Sequence, residues 1–549
     1  MKNIIKTSYL LVLFVFMSLL SCETTELDLR SNPNALPADK GNADFLLSNI
    51  QLQFKSVVES FGATGAQLTR IDYMFGRSYI NVYSPSNFDG RWTASYTEIM
   101  SDINALMPLA EERDLKFHIG MSQFIKAYTI TTLVDYFGDV PYLEANLGAD
   151  NFNPGVDKGQ AIYEASFALL DKAIENFTDG GKAKPSVDFF YGGNADSWIA
   201  AANTLKIKML MTTRLVDASA SSKINSIIAS GKYIKTYTKD LQFNYGNQEV
   251  QPDTRHPRYS TNYTNSGSDD YMSNHQMFYM LTNQDPRMRY YYYRQNRLTP
   301  GTDTDPSLET LQCSLQAAPD HLQGYPFCNL SNGYWGRDHG NNEGIPPDGF
   351  LKTIAGVYPA GGAFDDDTFK GKKNGAGGKG AGITPMLLAS SVKFWQAELA
   401  MESGDKTAAK NFMSEAIKIS IDKTLSFGSL DTSADVTNFA PTTEKIDNFI
   451  TAANIRFDAD SKDGWNVLAQ EFFTSVYGNG SDAYNFYRRT GYPTNLQPST
   501  EPNPGSFVRS VFYPSNFVNN NSSVTQKSDV TVQVFWDTNP SSPAFPSSN

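Results

Sequence analysis

The chain has 549 residues, with 46 Lys and Arg against 58 Asp and Glu and a formal charge of −12. Neutralising phosphates takes a concentrated basic face, so this balance excludes a nucleic-acid binder. Hydrophobic residues make up 40% and charged residues 19%, which excludes a disordered chain and fits about three or four domains or one continuous superhelix.

Lys2 and Lys6 precede an uncharged run from Tyr9 to Leu20 that is too short to span a bilayer as a helix. Residues 1–21 are therefore expected to be a signal peptide. The run ends at Leu19-Leu20-Ser21-Cys22, which resembles the lipobox of bacterial lipoproteins and makes Cys22 the expected acylated residue. Several acyl chains on one residue exceed the marginal hold of a single chain, so the expected state is tethered rather than spanning. Glu23, Glu26 and Asp28 resemble the surface-export signal of Bacteroidetes lipoproteins, and 22–41, with Pro33 and Pro37, reads as a lipidated flexible tether.

Residues 42–220 carry a helical pattern. Leu46, Leu47, Ile50, Phe54, Val57, Val58 and Phe61 recur at three and four, the signature of one buried helix face. The spacing returns at Met121, Phe124, Ile125 and Tyr128, at Ile162, Ala165, Leu169 and Ala173, and at Trp198, Ala202, Leu205 and Met209. It resumes in 386–549 at Leu388, Val392, Trp395 and Leu399, at Phe412, Met413, Ala416 and Ile417, and at Trp465, Leu468, Phe472 and Val476. Paired helices of this kind bury their faces by stacking, so the fold expected is mainly α, a tetratricopeptide-like superhelix with few short strands.

Between 221 and 385 the periodicity fades into Gly, Pro, Asn, Asp and Tyr, as expected of long loops that carry function. Tyr290 to Tyr293 would alternate two outward and two inward rings in a strand. Asp365-Asp366-Asp367 reads as a solvated acidic turn or a calcium site, without the spaced ligands of a helix-loop-helix calcium loop. Gly371 to Gly382, six glycines in twelve residues, reads as a flexible connector. Cys313 and Cys328 lie fifteen positions apart in a chain expected to be exported, where a disulfide between them is permitted.

Leu133-Val-Asp-Tyr-Phe-Gly-Asp-Val-Pro-Tyr142, Trp198-Ile-Ala-Ala-Ala-Asn-Thr-Leu-Lys206 and Arg214 occur in order, followed by Gly333-Tyr-Trp-Gly-Arg-Asp-His-Gly-Asn-Asn342, which runs on to Phe350. Tyr358-Pro-Ala-Gly-Gly362, Tyr487-Arg-Arg-Thr-Gly-Tyr-Pro493, Tyr513-Pro514 and Val534-Phe-Trp-Asp537 complete the set. Together they resemble the SusD/RagB family of outer-membrane lipoproteins, and the resemblance runs from the lipobox nearly to the end. It implies one SusD-like unit over 22–549, with helical parts at 42–220 and 386–549 and a loop-rich, ligand-facing part at 221–385. It further implies a cell-surface protein that captures oligosaccharides and passes them to a SusC-like, TonB-dependent outer-membrane barrel. Oligopeptide cargo is the alternative within the family.

By position, two stretches match segments that line ligand sites in such relatives. The first holds Tyr73, Arg77, Tyr79, Tyr83 and Trp92 among Arg70, Asp72, Asn81 and Asn87; the second holds Tyr325, Tyr334, Trp335, Arg337, Asp338 and Asn342. Aromatic platforms ringed by Asn, Asp and Arg suit sugars, whose rings offer apolar C–H faces and many hydroxyls. Arg488 and Arg489 read either as anion ligands or as buried partners of acids. A glycoside hydrolase is the rival class, since paired carboxylates are its only strict requirement. The five histidines show no metal-ligand spacing and no nucleophile elbow occurs, so no catalytic residue, metal or cofactor is expected.

Overall fold

In the computed structural model, residues 42–299, 311–343 and 350–546 are described. The signal segment 1–21, Cys22, the tether 22–41 and positions 344–349 of the Gly333–Phe350 motif lie outside them. The first five long helices are α1 (Ala43–Leu68), α2 (Ser101–Glu112), α3 (Lys116–Phe137), α4 (Gly159–Asp179) and α5 (Ala195–Thr213). Leu47, Ile50, Phe54, Val57, Val58 and Phe61 of α1 are buried, as their spacing predicts. Asn194 caps α5 by accepting from the Ser197 amide at 2.9 Å. Gly138, at φ 82°, closes α3 ahead of Pro141.

The middle of the chain contributes α6 (Ala220–Ser230), β1 (Leu241–Asn244), α7 (Asn274–Thr282), β2 (Tyr292–Arg294), β3 (Thr353–Ala355) and β4 (Ile383–Leu387). β1 pairs with β4 and β2 with β3, both antiparallel. Then follow α8 (Ala389–Glu402), α9 (Lys406–Leu425), α10 (Thr443–Ala459), α11 (Trp465–Ser475) and α12 (Ser481–Thr490).

α3 packs along α4 and α4 on α5; α8 packs on α9, α9 on α10, and α10 on α11. The fold is therefore mainly α, a superhelix of helix pairs with few short strands. α5 meets α8, and α12 returns to α1, so the first and the last of these helices share one core. Glu398 of α8 clamps this junction: it accepts from Arg489 of α12 at 2.6 and 2.7 Å and from Arg214, just past α5, at 2.8 Å. Burial alone would raise the Glu398 carboxyl, but Arg489 and Arg214 hold it below its ordinary value. Arg488 is equally enclosed, donating to Asn485 and to the Arg509 carbonyl while lying against the Tyr484 and Trp536 rings. Neither arginine is open to an anionic ligand.

Several sequence expectations are corrected by burial. α3 hides nearly every side chain because neighbours cover it all round, so its one-face reading was too narrow. Tyr290 and Tyr291 end a short helical turn, Tyr292 and Tyr293 open β2, and all four are buried, so none points outward. Asp365 is buried and receives the Arg294 guanidinium at 2.7 Å, while Asp367 pairs with Arg289 at 2.9 Å, so this turn is an acid–arginine lock rather than a solvated loop. The glycine-rich tract is packed backbone against backbone: Gly378 donates to the Gly362 carbonyl at 2.9 Å and Gly380 to that of Gly361 at 3.0 Å. Its glycines permit close approach rather than slack. Cys313 and Cys328 are joined by a disulfide.

Candidate functional site

α1 ends at Leu68, and the chain turns at Arg70, whose φ is 62° and whose guanidinium donates to the carbonyls of Leu68 (2.7 Å) and Gln497 (2.9 Å). It then runs past Asp72, Tyr73 and Phe75 to Gly76, at a φ of 127°. This segment walls a cleft of about 330 Å³ with Gln67 of α1 and, from the irregular middle of the chain, Arg258 and Asp270. A second hollow of about 580 Å³ continues over Arg77, Asn81 and Asn87. Gln67 and Phe75 border both, so the two form one groove divided by the Phe75 ring. That ring is 43% exposed and stands among polar side chains.

The groove is held by charge. Arg258 donates to Asp72 at 2.7 Å and lies 3.3 Å from Asp270. Burial would lower its guanidinium, but Asp72 and Asp270 hold it up, so it stays charged; burial raises the Asp270 carboxyl. Arg337 sits with its guanidinium 5.4 Å from the Phe75 ring and 4.1 Å from that of Tyr271, which also receives the Lys352 ammonium at 3.8 Å. Tyr73 meets Tyr271 edge-on at 6.1 Å. Burial lowers Arg337, and its Nη1 has no hydrogen-bond partner among the described residues. An open ring beside fixed donors and acceptors can stack on an apolar face while hydroxyls bond at its edge. Among the described residues no group of three or more His, Cys, Asp or Glu could hold a metal ion.

Of the residues expected here, Tyr73 and Arg77 line the groove. Arg77 donates to Asn342 at 3.0 Å, which brings the two predicted stretches together. The other expectations need correction. Trp92 is wedged among Tyr96, Phe137 and Phe517, and Tyr79 is buried against Tyr83 and bonded to His339. Tyr83, although it borders the open hollow, is itself buried. Trp335 is 1% exposed behind Tyr271, and the Tyr334 ring lies under Arg294 at 4.5 Å. Asp338 is buried, accepting from Asn274, Gln497 and the Cys328 amide. None of these five aromatic rings offers a face to solvent, because each is spent on the core. Arg337 stands just behind the groove, and Tyr325 lines a different cavity.

Phe75, Tyr271, Arg258 and Asp270 were missed. Phe75 lacks the polar handle that marks Tyr and Trp as amphipathic platforms, and Ser268-Asp-Asp-Tyr-Met272 offers only an aromatic among acids within a loop-rich stretch.

The chain matches a SusD-like family, described as "Starch-binding associating with outer membrane", over residues 35–306 and 358–514. No curated protein sequence matches it. Among solved structures it is similar to a SusD/RagB family protein from Bacteroides thetaiotaomicron, at 16% identity and a TM-score of 0.63, covering 91% of this chain and 100% of that one. A chitin-binding protein aligns at 17% identity and a TM-score of 0.65, again over 91% and 100%. A chitin-binding SusD homolog from Flavobacterium johnsoniae aligns at 18% identity and a TM-score of 0.59, over 90% and 99%. These likenesses extend the agreement in fold, and the family match spans well over half of the sequence: the chain belongs to the SusD-like family of starch-binding, outer-membrane-associating proteins.

Proposed function

We propose that this protein is a cell-surface lipoprotein, anchored through Cys22, that captures oligosaccharides in the Phe75 groove and passes them to a SusC-like, TonB-dependent barrel. The observation that carries the reading is the open Phe75 ring between two hollows edged by Asp72, Arg77, Asn81 and Asn87. A sugar chain laid along the groove would stack one ring on Phe75 and spend its hydroxyls on the carboxylate, amide and guanidinium edges. The family description names starch, and two structural relatives are named for chitin, so neutral glucans and N-acetylated glycans are the first cargo to test. Binding without cleavage fits the groove chemistry, because each carboxylate lining the cleft is engaged, Asp72 and Asp270 by Arg258 and Glu59 by the Tyr245 and Thr384 hydroxyls.

The test is a glycan array run beside an oligopeptide library, with chromatography of the bound glycans afterwards. Retention of intact glycan supports the proposal. Peptide binding alone would replace the cargo, and shortened products would replace the binder with a hydrolase.

A further inference from the structure

The two hollows of the groove differ in charge. Three carboxylates, those of Glu59, Asp72 and Asp270, line the cleft of about 330 Å³. The hollow of about 580 Å³ on the other side of Phe75 is lined by two arginines, Arg77 and Arg91, and by no Asp or Glu among the described residues. Arg77 is exposed and pairs with Glu501. Arg91 has no such answer. It is partly buried, and no carboxylate pairs with it among the described residues. Burial lowers its guanidinium to about 10, opposed only by the Tyr136 and Tyr83 phenols, so it stays charged at neutral pH. A charge withdrawn from water without a counter-ion is costly.

The geometry of Arg91 is fixed on one side and open on the other. Its Nη1 donates to the Ser60 carbonyl at 3.1 Å and to the Thr64 hydroxyl at 2.6 Å, both on α1, and its guanidinium lies 4.9 Å from the Phe88 ring and 5.2 Å from the Phe61 ring. The side that carries Nε–H and Nη2–H makes no hydrogen bond among the described residues, and unlike the Arg337 Nη1 these two nitrogens are not sealed from solvent. Elsewhere in the chain the same side of an arginine grips a carboxylate: Arg287 holds Asp285 at 2.9 and 2.6 Å, and Arg489 holds Glu398 at 2.6 and 2.7 Å. Such a fork matches two oxygens of one oxyanion. Arg91 brings it to the wall of the hollow, where the Asn81 and Asn87 carboxamides add further donors.

We infer that the Arg91 hollow is an oxyanion site, which takes a carboxylate or sulfate group on the Nε–Nη2 fork of Arg91. The anion is either free or a substituent of the glycan cargo, and only the second source rests on the reading of the Phe75 groove.

The test is NMR of the arginine Nε–H groups in the full chain, with the Arg91 signal assigned by Arg91→Gln or, if that variant does not fold, Arg91→Lys. Sodium sulfate and sodium acetate are added against sodium chloride of equal ionic strength, and chitohexaose is compared with its 6-O-sulfated form by NMR and calorimetry. Sulfate or acetate is expected to move the Arg91 signal saturably where chloride does not. The sulfated glycan is expected to move it too, and to bind about tenfold more tightly than chitohexaose, an advantage that shrinks in the variant. A shift from the free anions without any glycan binding supports the site while the groove reading fails. No Arg91 shift from sulfate, acetate or the sulfated glycan would overturn the inference, and so would an equal shift from chloride.

Discussion

Arg77 donates its Nε–H to the Asn342 carboxamide at 3.0 Å, joining positions 265 residues apart at the edge of the groove. Glu501 adds an ion pair to the same Nε at 3.2 Å, with the Arg77 side chain 66% exposed. Pairs so open contribute about 0–1 kcal/mol to stability. Arg77→Ala is therefore expected to leave thermal unfolding nearly unchanged while costing about 1.5–3 kcal/mol of glycan affinity, the worth of one charged hydrogen bond. A large drop in melting temperature would recast Arg77 as structural.

Glu398 predicts the opposite pattern. It is fully buried and serves both Arg489 and Arg214, so Glu398→Ala strands the buried Arg489 guanidinium and leaves Arg214 with Glu402 alone at the α5–α8–α12 junction. A loss of about 3–5 kcal/mol in urea unfolding is expected. Its carboxyl lies below the ordinary value in the fold, so the clamp contributes fully above 4.5 and is lost as the pH falls further.

Lys527 gives a pH signature of the same sign in a higher window. Its ammonium is enclosed, donating to Ser510 Oγ at 2.9 Å and to the Val511 carbonyl at 2.7 Å. Burial, followed by the Arg488 charge, lowers it from 10.5 to about 7. Below that value the fold carries the whole cost of a buried charge, and the cost disappears as the pH rises from there towards 10.5. Relative to Lys527→Met, the wild type should gain stability between pH 7 and about pH 9. A constant difference between the two would refute the shifted amine.

Gly377 tests the packed glycine tract. At φ 62°, a Cβ on it would lie 2.2 Å from the Gly362 carbonyl oxygen. Gly377→Ala should cost about 1–3 kcal/mol through strain and collision. A neutral effect in urea unfolding would mean the tract is slack after all.

The helices with an apolar stripe were legible: α1, α4, α5, α8, α9 and α11 fall where the three-four spacing puts them. α12 (Ser481–Thr490) was not: Ala483, Phe486 and Tyr487 do recur at three and four, but over ten residues crowded with polar side chains that are themselves mostly buried. It is buried through partners far away in sequence, Asp482 with Lys208, Asn485 with Asp135 and Arg489 with Glu398. Periodicity reports one wet face and one dry face, so it does not show that the polar side of such a helix is also inside. The candidate site failed for a related reason. Trp92 and Trp335 have the composition of sugar platforms, but long-range packing decides whether a ring faces water, and it left that place to Phe75.

The proposed function places a glycan in the Phe75 groove. Calorimetric titration of maltoheptaose and chitohexaose into the full chain and into Phe75→Ala tests it most directly. Saturable binding of at least one glycan, weakened in the variant by about 1–3 kcal/mol as expected for a lost stacking platform, is the predicted result. Equal affinity in the two proteins, or heat only from oligopeptides, would contradict it.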